Sequence, residues 1–277
     1  MNDFGSTFHH KEPRDINAVE LDALDERAKI RLEVIEALEE DRITVAYQPI
    51  AASATNRKIT FHETLLRIVD ANGGLIPAGK FIDLVQKTSI GRSLDCLALR
   101  RALQALKADL SLRLSVNMSA RSFDCEELRE ILHAANRACP GIGQRLVIEI
   151  TEQTALQNTD ATHVFMEDMR QHGCIFALDD FGVGPAAFSQ FREFSFEMVK
   201  IDGSFIKGLA SNPDRQALVS ALVGIAQHFD MLTVAEFVES DEQAFAAQSL
   251  GVDCLQGYLI GRPELAWKRN KVSKVSG

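Results

Sequence analysis

Six short apolar runs in this chain each deliver a polar group that a buried strand has no ordinary reason to carry. Phe61-His62-Glu63-Thr64-Leu65 presents Glu63, and Leu114-Ser115-Val116-Asn117 presents Asn117. Leu146-Val147-Ile148-Glu149-Ile150-Thr151-Glu152 presents Glu149 and then Glu152, while Cys174-Ile175-Phe176-Ala177-Leu178 runs into Asp179-Asp180-Phe181-Gly182. Met198-Val199-Lys200-Ile201-Asp202 offers Lys200, and Leu232-Thr233-Val234-Ala235-Glu236 offers Glu236. A single run of this kind is an ordinary surface strand end, but six in series point to one convergent site. The adjacent acids Asp179 and Asp180 sharpen the inference, because two carboxylates at the mouth of a buried strand repel unless a cation or proton lies between them.

The runs alternate with helical stretches. Apolar residues Leu21, Leu24, Ala28, Leu32, Ile35 and Leu38 recur every three or four positions and predict a leading helix over 17–40. Strands are expected at 44–50 and 59–68, helices near 79–88, 91–109, 124–138, 160–172, 213–229 and 241–250, and a last strand at 254–260, about eight strands in all. No Gly-x-Gly-x-x-Gly turn follows any strand, so the repeat favours an α/β fold of the TIM-like (β/α)8 barrel type over a doubly wound sheet. Residues 1–20 read as a flexible polar arm, 21–265 as the domain with the leading helix at its front, and 266–277 as a basic tail.

In such a barrel, sites are built at the C-terminal strand ends, and residues two apart share a face. Phe61, Glu63, Leu65 and Arg67 then form one inward set; Ser115, Asn117 and Ser119 a second; Val147, Glu149 and Thr151 a third; Ala177 and Asp179 a fourth. His62, Val116, Ile148 and Leu178 are expected to face the helices, which makes His62 a packing residue. The set Glu63, Asn117, Glu149, Asp179 and Asp180 is all oxygen, suited to Mg²⁺, Mn²⁺ or Ca²⁺ rather than zinc, and a shared carboxylate can bridge two ions about 3.5 to 4 Å apart. Paired hard cations suggest phosphoryl chemistry. Lys200 reads as a structural ion pair, or as a group that holds the attacking water and stabilises developing charge. A Schiff-base lysine is the rival, opposed by carboxylate neighbours that keep an amine protonated. Arg67 offers a planar fork for a phosphate or a guanine edge.

A net charge of −9 and no basic stripe exclude a polymer-binding protein held by general phosphate attraction to DNA or RNA. The five cysteines form no Cys-x-x-Cys pair, which excludes a zinc ribbon and fits a reducing, cytoplasmic setting. No apolar run reaches spanning length, and no signal peptide is expected at the polar start.

Taken in order, Tyr47-Gln48-Pro49-Ile50, Glu63-Thr64-Leu65-Leu66-Arg67, Ser115-Val116-Asn117-Met118-Ser119, Glu149-Ile150-Thr151-Glu152, Asp179-Asp180-Phe181-Gly182, Lys200-Ile201-Asp202 and Gln256-Gly257-Tyr258-Leu259-Ile260-Gly261-Arg262-Pro263 resemble the EAL domain family, bacterial phosphodiesterases that open cyclic di-GMP to linear pGpG. The resemblance implies a barrel whose first strand is antiparallel to its neighbours. It implies that Glu63, Asn117, Glu149 and Asp179 bind one metal, that Asp179 and Asp180 serve a second, and that Lys200 and Glu236 handle the attacking water, with Glu236 as general base. It further implies two Mg²⁺ or Mn²⁺ ions, inhibition by Ca²⁺, a loop-anchoring role for Glu152, ligand contacts for Gln48, Arg67 and Gln256, and a homodimer.

Departures from the family pattern are local. Thr64 follows Glu63 where alanine is usual, and Gly182-Val183-Gly184-Pro185-Ala186-Ala187 replaces a hydroxyl-rich loop. Phe237 stands where Glu-Gly-Val-Glu has glycine, Val85-Gln86 replaces an alanine-glutamate pair, and Gly203 replaces an arginine after Lys-Ile-Asp. Three functions stay open: a two-metal cyclic di-GMP phosphodiesterase, a catalytically weak domain that serves as a cyclic di-GMP receptor or interaction module, and an unrelated barrel lyase or aldolase.

Overall fold

Eight strands close into a ring in the computed structural model, which describes residues 18–54, 56–183 and 194–267. Helix α1 (Ala18–Glu39) leads into β1 (Ile43–Ala52), and β2 (Ile59–Val69) returns antiparallel to it with Gln48 opposite Glu63. The short β3 (Leu75–Pro77) folds back onto the end of β2 through a turn in which Asp70 Oδ1 accepts from the backbone N–H of Asn72 and Gly74. Then β4 (Leu114–Asn117), β5 (Leu146–Thr151), β6 (Ile175–Phe181), β7 (Met198–Ile201), β8 (Leu232–Ala235) and β9 (Cys254–Gln256) follow in order, all parallel to β2. β1 closes the ring against β9, antiparallel on this side too. The expected TIM-like barrel with a reversed first strand is what the chain forms.

The helices are α2 (Ile82–Val85), α3 (Ser89–Ala108), α4 (Glu126–Ala138), α5 (Glu152–Gln157), α6 (Thr159–Gln171), α7 (Gly203–Ile206), α8 (Pro213–His228) and α9 (Asp241–Ser249). Their starts are chemically marked. Asn212 caps α8 by accepting from Asp214 and Arg215 ahead of Pro213, and Ser240 with Gln243 forms a capping box on α9.

Packing separates two layers by strand parity. Ile50, Phe61, Val147, Ala177, Met198, Val234 and Cys254 fill the barrel interior below the site. Val116, Ile148 and Leu178 point the other way, into the layer shared with the helices, where Phe123 stacks on Phe165 at 4.6 Å. Each such fully buried side chain contributes roughly 1.5–3 kcal/mol. His62 is buried on the same outward parity, as expected of a packing residue.

Two expectations are corrected. The single helix at 79–88 is instead a 3-10 turn at Ala78–Lys80 and the one-turn α2, because Thr88 opens a new helix by accepting from the N–H of Ile90. The last strand stops at Gln256 rather than 260, since Gly257 lies so close that a Cβ there would stand 2.1 Å from Val238 O. Helix α1 opens at Ala18, in keeping with the leading helix expected over 17–40; residues 1–17 and the basic tail from 268 lie outside the described residues. The short β3, α5 and α7 have no counterpart in the sequence pattern, because three to six residues are too few to show a period. All five cysteines are free, and among the described residues no helix is long and apolar enough to cross a membrane.

Candidate active site

Directly above the apolar interior, the next inward position on almost every strand is polar. β1 brings Gln48, β2 Glu63, β4 Ser115 and then Asn117, β5 Glu149, β6 Asp179, β7 Lys200 and β9 Gln256, while Glu236 follows the end of β8. Ladder register makes this a ring: Gln48 lies opposite Glu63, Glu63 beside Ser115, and Asn117 beside Glu149.

Lys200 is the hub. Its Nζ lies 2.7 Å from Glu236 Oε1, 2.8 Å from Glu149 Oε2, 3.2 Å from Asp179 Oδ1 and 3.5 Å from Glu63 Oε2, with the side chain only 1% exposed. Burial alone would lower the lysine's pKa, but the charges of Asp179, Glu149, Glu236 and Glu63 raise it well above the ordinary value. Four carboxylates around it favour an ammonium that donates hydrogen bonds over a nucleophilic amine, which weighs against the Schiff-base reading.

The acids around it are not equivalent. Burial pushes Glu63 upward, yet the Lys200 charge, Gln256 Nε2 at 2.5 Å and Asn117 Nδ2 at 2.7 Å outweigh it and hold the carboxyl below its usual range. Glu149 has Lys200 but no amide donor, so burial and the charge of Glu63 push it up to about 8. Glu236 is likewise pushed up to about 8, by burial first, with Asp179 and Glu63 adding to it against Lys200. Four carboxylates against one ammonium leave an excess of negative charge in a buried place.

That excess bears on whether divalent ions fit. Glu149 Oε1 and Gln256 Oε1 are buried and have no hydrogen-bond partner among the described residues. A buried carboxylate oxygen left unpartnered beside Asn117 and Asp179 is costly without a cation. The donor set is oxygen throughout, so hard divalent ions fit the residues present.

The two adjacent aspartates differ in their surroundings. Asp179 approaches Lys200 at 3.2 Å, whereas Asp180 has a left-handed backbone (φ 56°) and lines the neighbouring cavity. Burial, then the charge of Asp179, raises the pKa of Asp180. A cavity of about 710 Å³ opens here, with Leu65, Asn117, Glu149, Glu152, Asp180 and Val183 among its walls. That size suits a nucleotide-scale ligand. Glu152 is buried at the first turn of α5. The loop it is expected to anchor, with positions 184–187, lies outside the described residues. Arg67 is not in the central cluster: its guanidinium is half-buried and donates to Leu66 O at 2.7 Å. Gln48 is held at the rim, where its Nε2 donates to Gly261 O at 3.3 Å.

Asp95 was not foreseen. Buried on α3, it accepts from Ser119 N at 3.0 Å, Ser119 Oγ at 2.6 Å and Ser122 Oγ at 2.7 Å. It thereby pins the segment that leaves Asn117. The signal available in sequence was an acid on the apolar stripe of a helix, Leu94-Asp95-Cys96-Leu97-Ala98-Leu99. Two departures from the family pattern prove to be neighbours: a Cβ on Gly203 would stand 2.4 Å from Cδ2 of Phe237. The absent side chain at 203 is what admits the ring at 237.

Comparison with known proteins agrees with this geometry. A family profile for the EAL domain matches residues 31–263. Cyclic di-GMP phosphodiesterase PdeB of Shewanella oneidensis is 33% identical over 240 residues, 85% of this chain and 28% of that protein. Cyclic di-GMP phosphodiesterase PdeF of Escherichia coli is 31% identical over 238 residues, 83% of this chain and 31% of that protein. The chain thus spans about a third of the length of these curated relatives. Among solved structures, the PaMucR phosphodiesterase in complex with c-di-GMP is 30% identical with a TM-score of 0.77, covering 85% of this chain and 97% of that one. The FimX EAL domain from Pseudomonas aeruginosa, bound to c-di-GMP, is 22% identical and shares the fold at a TM-score of 0.78, over 87% of this chain and 98% of that one. With the profile spanning nearly all of the barrel and both curated relatives above 30% identity, the chain belongs to the EAL domain family.

Proposed function

We propose that this domain hydrolyses cyclic di-GMP to linear pGpG with two divalent ions, Mg²⁺ or Mn²⁺. The observation that carries the reading is the convergence of Glu63, Glu149, Asp179 and Glu236 on Lys200, with Glu149 and Asn117 also lining a cavity of about 710 Å³. Glu63, Asn117, Glu149 and Asp179 would hold one ion, and Asp179 with Asp180 the other. When bound, such ions stabilise charge on phosphoryl oxygens and make water more acidic.

The chain's own groups do the rest. Lys200 keeps Glu236 aimed by holding Oε1 at 2.7 Å, which leaves Oε2 to take the proton of the attacking water. In the metal-free site burial pushes that carboxyl up to about 8, and the charge of bound cations would draw it back toward an ionised base. As the water oxygen bonds to phosphorus, the bond to one 3′ oxygen breaks, and that oxygen gains a proton to give the free hydroxyl of pGpG. Arg67 and Gln48, at the rim, offer donors to the dinucleotide.

The receptor reading rests on the altered loop and on Phe237. Retention of every acid of the ring favours the enzyme, because a pure interaction module gains nothing from burying four carboxylates. Incubating the protein with cyclic di-GMP and Mg²⁺ or Mn²⁺, and following pGpG by chromatography, tests it. Turnover that EDTA and Glu63→Ala both abolish supports hydrolysis. Binding without any pGpG leaves the receptor, and neither binding nor turnover leaves a role with a protein partner alone.

A further inference from the structure

Phe237 is a strained residue with an uncovered ring. Its backbone is left-handed (φ 53°), a conformation that costs a bulky side chain on the order of 1–3 kcal/mol and persists only where the surroundings impose it. The surroundings do impose it: Glu236 N donates to Ile201 O at 3.1 Å on one side, and Val238 N donates to Gln256 O at 2.9 Å on the other. The strain is not repaid by burial, since the phenyl group is 66% exposed. One face rests against Gly203, where no Cβ could be accommodated. The other is open.

Tyr258, on the next strand connection, makes the contrast. It is also exposed at this end of the barrel, but the guanidinium of Arg262 already covers its ring at 3.9 Å. Among the described residues, no ring or cation covers Phe237.

The position relative to the acid ring limits what can land there. Phe237 directly follows Glu236, whose carboxylate touches Lys200, so the two Cα atoms lie about 3.8 Å apart. Gly203 directly follows Asp202, whose charge is felt by Asp180. A ligand whose phosphodiester sits over Lys200 has Phe237, one residue from Glu236, within reach of its flanking groups. The anionic groups of that ligand are disfavoured between Glu236 and Asp202, whereas a flat neutral heterocycle gains an aromatic face.

Resting on the cyclic di-GMP reading, we propose that Phe237 is the stacking platform for one guanine base of the dinucleotide, with Gly203 as its seat. Base–aromatic stacking of this kind is worth about 1–3 kcal/mol, or roughly 5- to 150-fold in affinity. The ring is held in place before the ligand arrives, so little ordering entropy opposes the contact.

The test compares the full chain with its Phe237→Ala, Phe237→Gly and Phe237→Trp variants. Dissociation constants for cyclic di-GMP are measured with Ca²⁺ present, steady-state kinetics with Mn²⁺, and thermal melting without ligand. Loss of the ring is expected to raise Kd and KM by about 10-fold with most of kcat retained at saturation. Phe237→Trp is expected to hold Kd within about threefold, and its fluorescence to be quenched by the ligand beyond any change in Trp267 of the wild type. Phe237→Gly is expected to melt no lower than wild type, because glycine accepts the left-handed backbone. A role in packing alone predicts the reverse, a lower melting temperature with Kd unmoved, and overturns the platform. So does a fall in kcat at constant KM, which would mean that the ring merely positions Glu236. Wild-type protein that neither binds nor hydrolyses cyclic di-GMP brings down the functional reading itself, whereas a wild type that binds with variants that match it brings down the platform only.

Discussion

Lys200 Nζ and Glu149 Oε2 meet at 2.8 Å with both side chains at 1% exposure or less, and the second oxygen of that carboxylate has no partner among the described residues. The lysine therefore neutralises one of four converging acids and restrains the others. Replacing it by methionine removes the only ammonium these acids share. Breaking a buried pair from one side costs about 3–5 kcal/mol, so metal-free Lys200→Met is expected to unfold at lower urea by that margin. Mn²⁺ is expected to stabilise the variant more than it stabilises wild type. Urea titrations with EDTA and with Mn²⁺ check both, and equal responses to the ion would contradict the acid ring as its site.

The same ring makes the metal-free protein sensitive to alkali. Glu149 and Glu236, each pushed up to about 8 from an ordinary 4.5, keep protons in the folded protein that the unfolded chain has already released. The folded state then binds more protons across that window, so stability falls as pH rises from about 5 to about 8 and levels off beyond it. One group contributes at most about 1.4 kcal/mol per pH unit. Glu149→Gln is expected to make the fall shallower and to be the more stable protein at pH 8 in EDTA. Urea midpoints at three pH values decide it; a midpoint that climbs with pH in EDTA would refute the sign.

Asp95 offers a separate lever on Asn117. Alanine in its place strands the hydroxyls of Ser119 and Ser122 and one backbone N–H, at a cost of about 2–4 kcal/mol. Residues that hold a ligand-bearing segment also set its affinity, so Mn²⁺ is expected to bind about 10-fold more weakly. Calorimetric titration of folded Asp95→Ala at low temperature separates that loss from the loss of stability.

Gly203 and Phe237 are expected to couple. Gly203→Ala forces a methyl against the ring and should cost about 1–3 kcal/mol, most of which disappears in the Phe237→Gly background. A double-mutant cycle on melting or urea midpoints measures the coupling. Simple additivity would show that the two positions are independent.

The barrel was legible from the repeat of strand and helix, its reversed first strand only from the family resemblance, and the site from parity. A barrel turns every second residue inward, so Glu63, Glu149, Asp179 and Lys200 could be assigned to one place from alternation alone, and the structure brings them within 3.5 Å of one ammonium. The left-handed backbone of Asp180 was not legible, since alternation does not encode it. Asp95 was hidden for a different reason: its partners are 24 and 27 residues away, beyond any periodic signal. Short elements such as β3 and α7 escape for want of length, and the contact of Gly203 with Phe237 is tertiary, though each departure was visible singly.

The reversal of β1 changes which end of the barrel the chain enters. In an all-parallel barrel the first strand starts at the floor, far from the strand ends that carry chemistry. Here Ile43 starts opposite Ile68, at the upper end of β2, and β1 descends to meet Cys254 through Ala52. Helix α1 is therefore delivered to the end of the barrel that carries the acid ring. Arg31 on it donates to Leu84 O in α2, and α2 lends Ile82 and Asp83 to the cavity wall. Doorway and workplace are at the same end of this molecule, and the doorpost is fastened to the wall of the room.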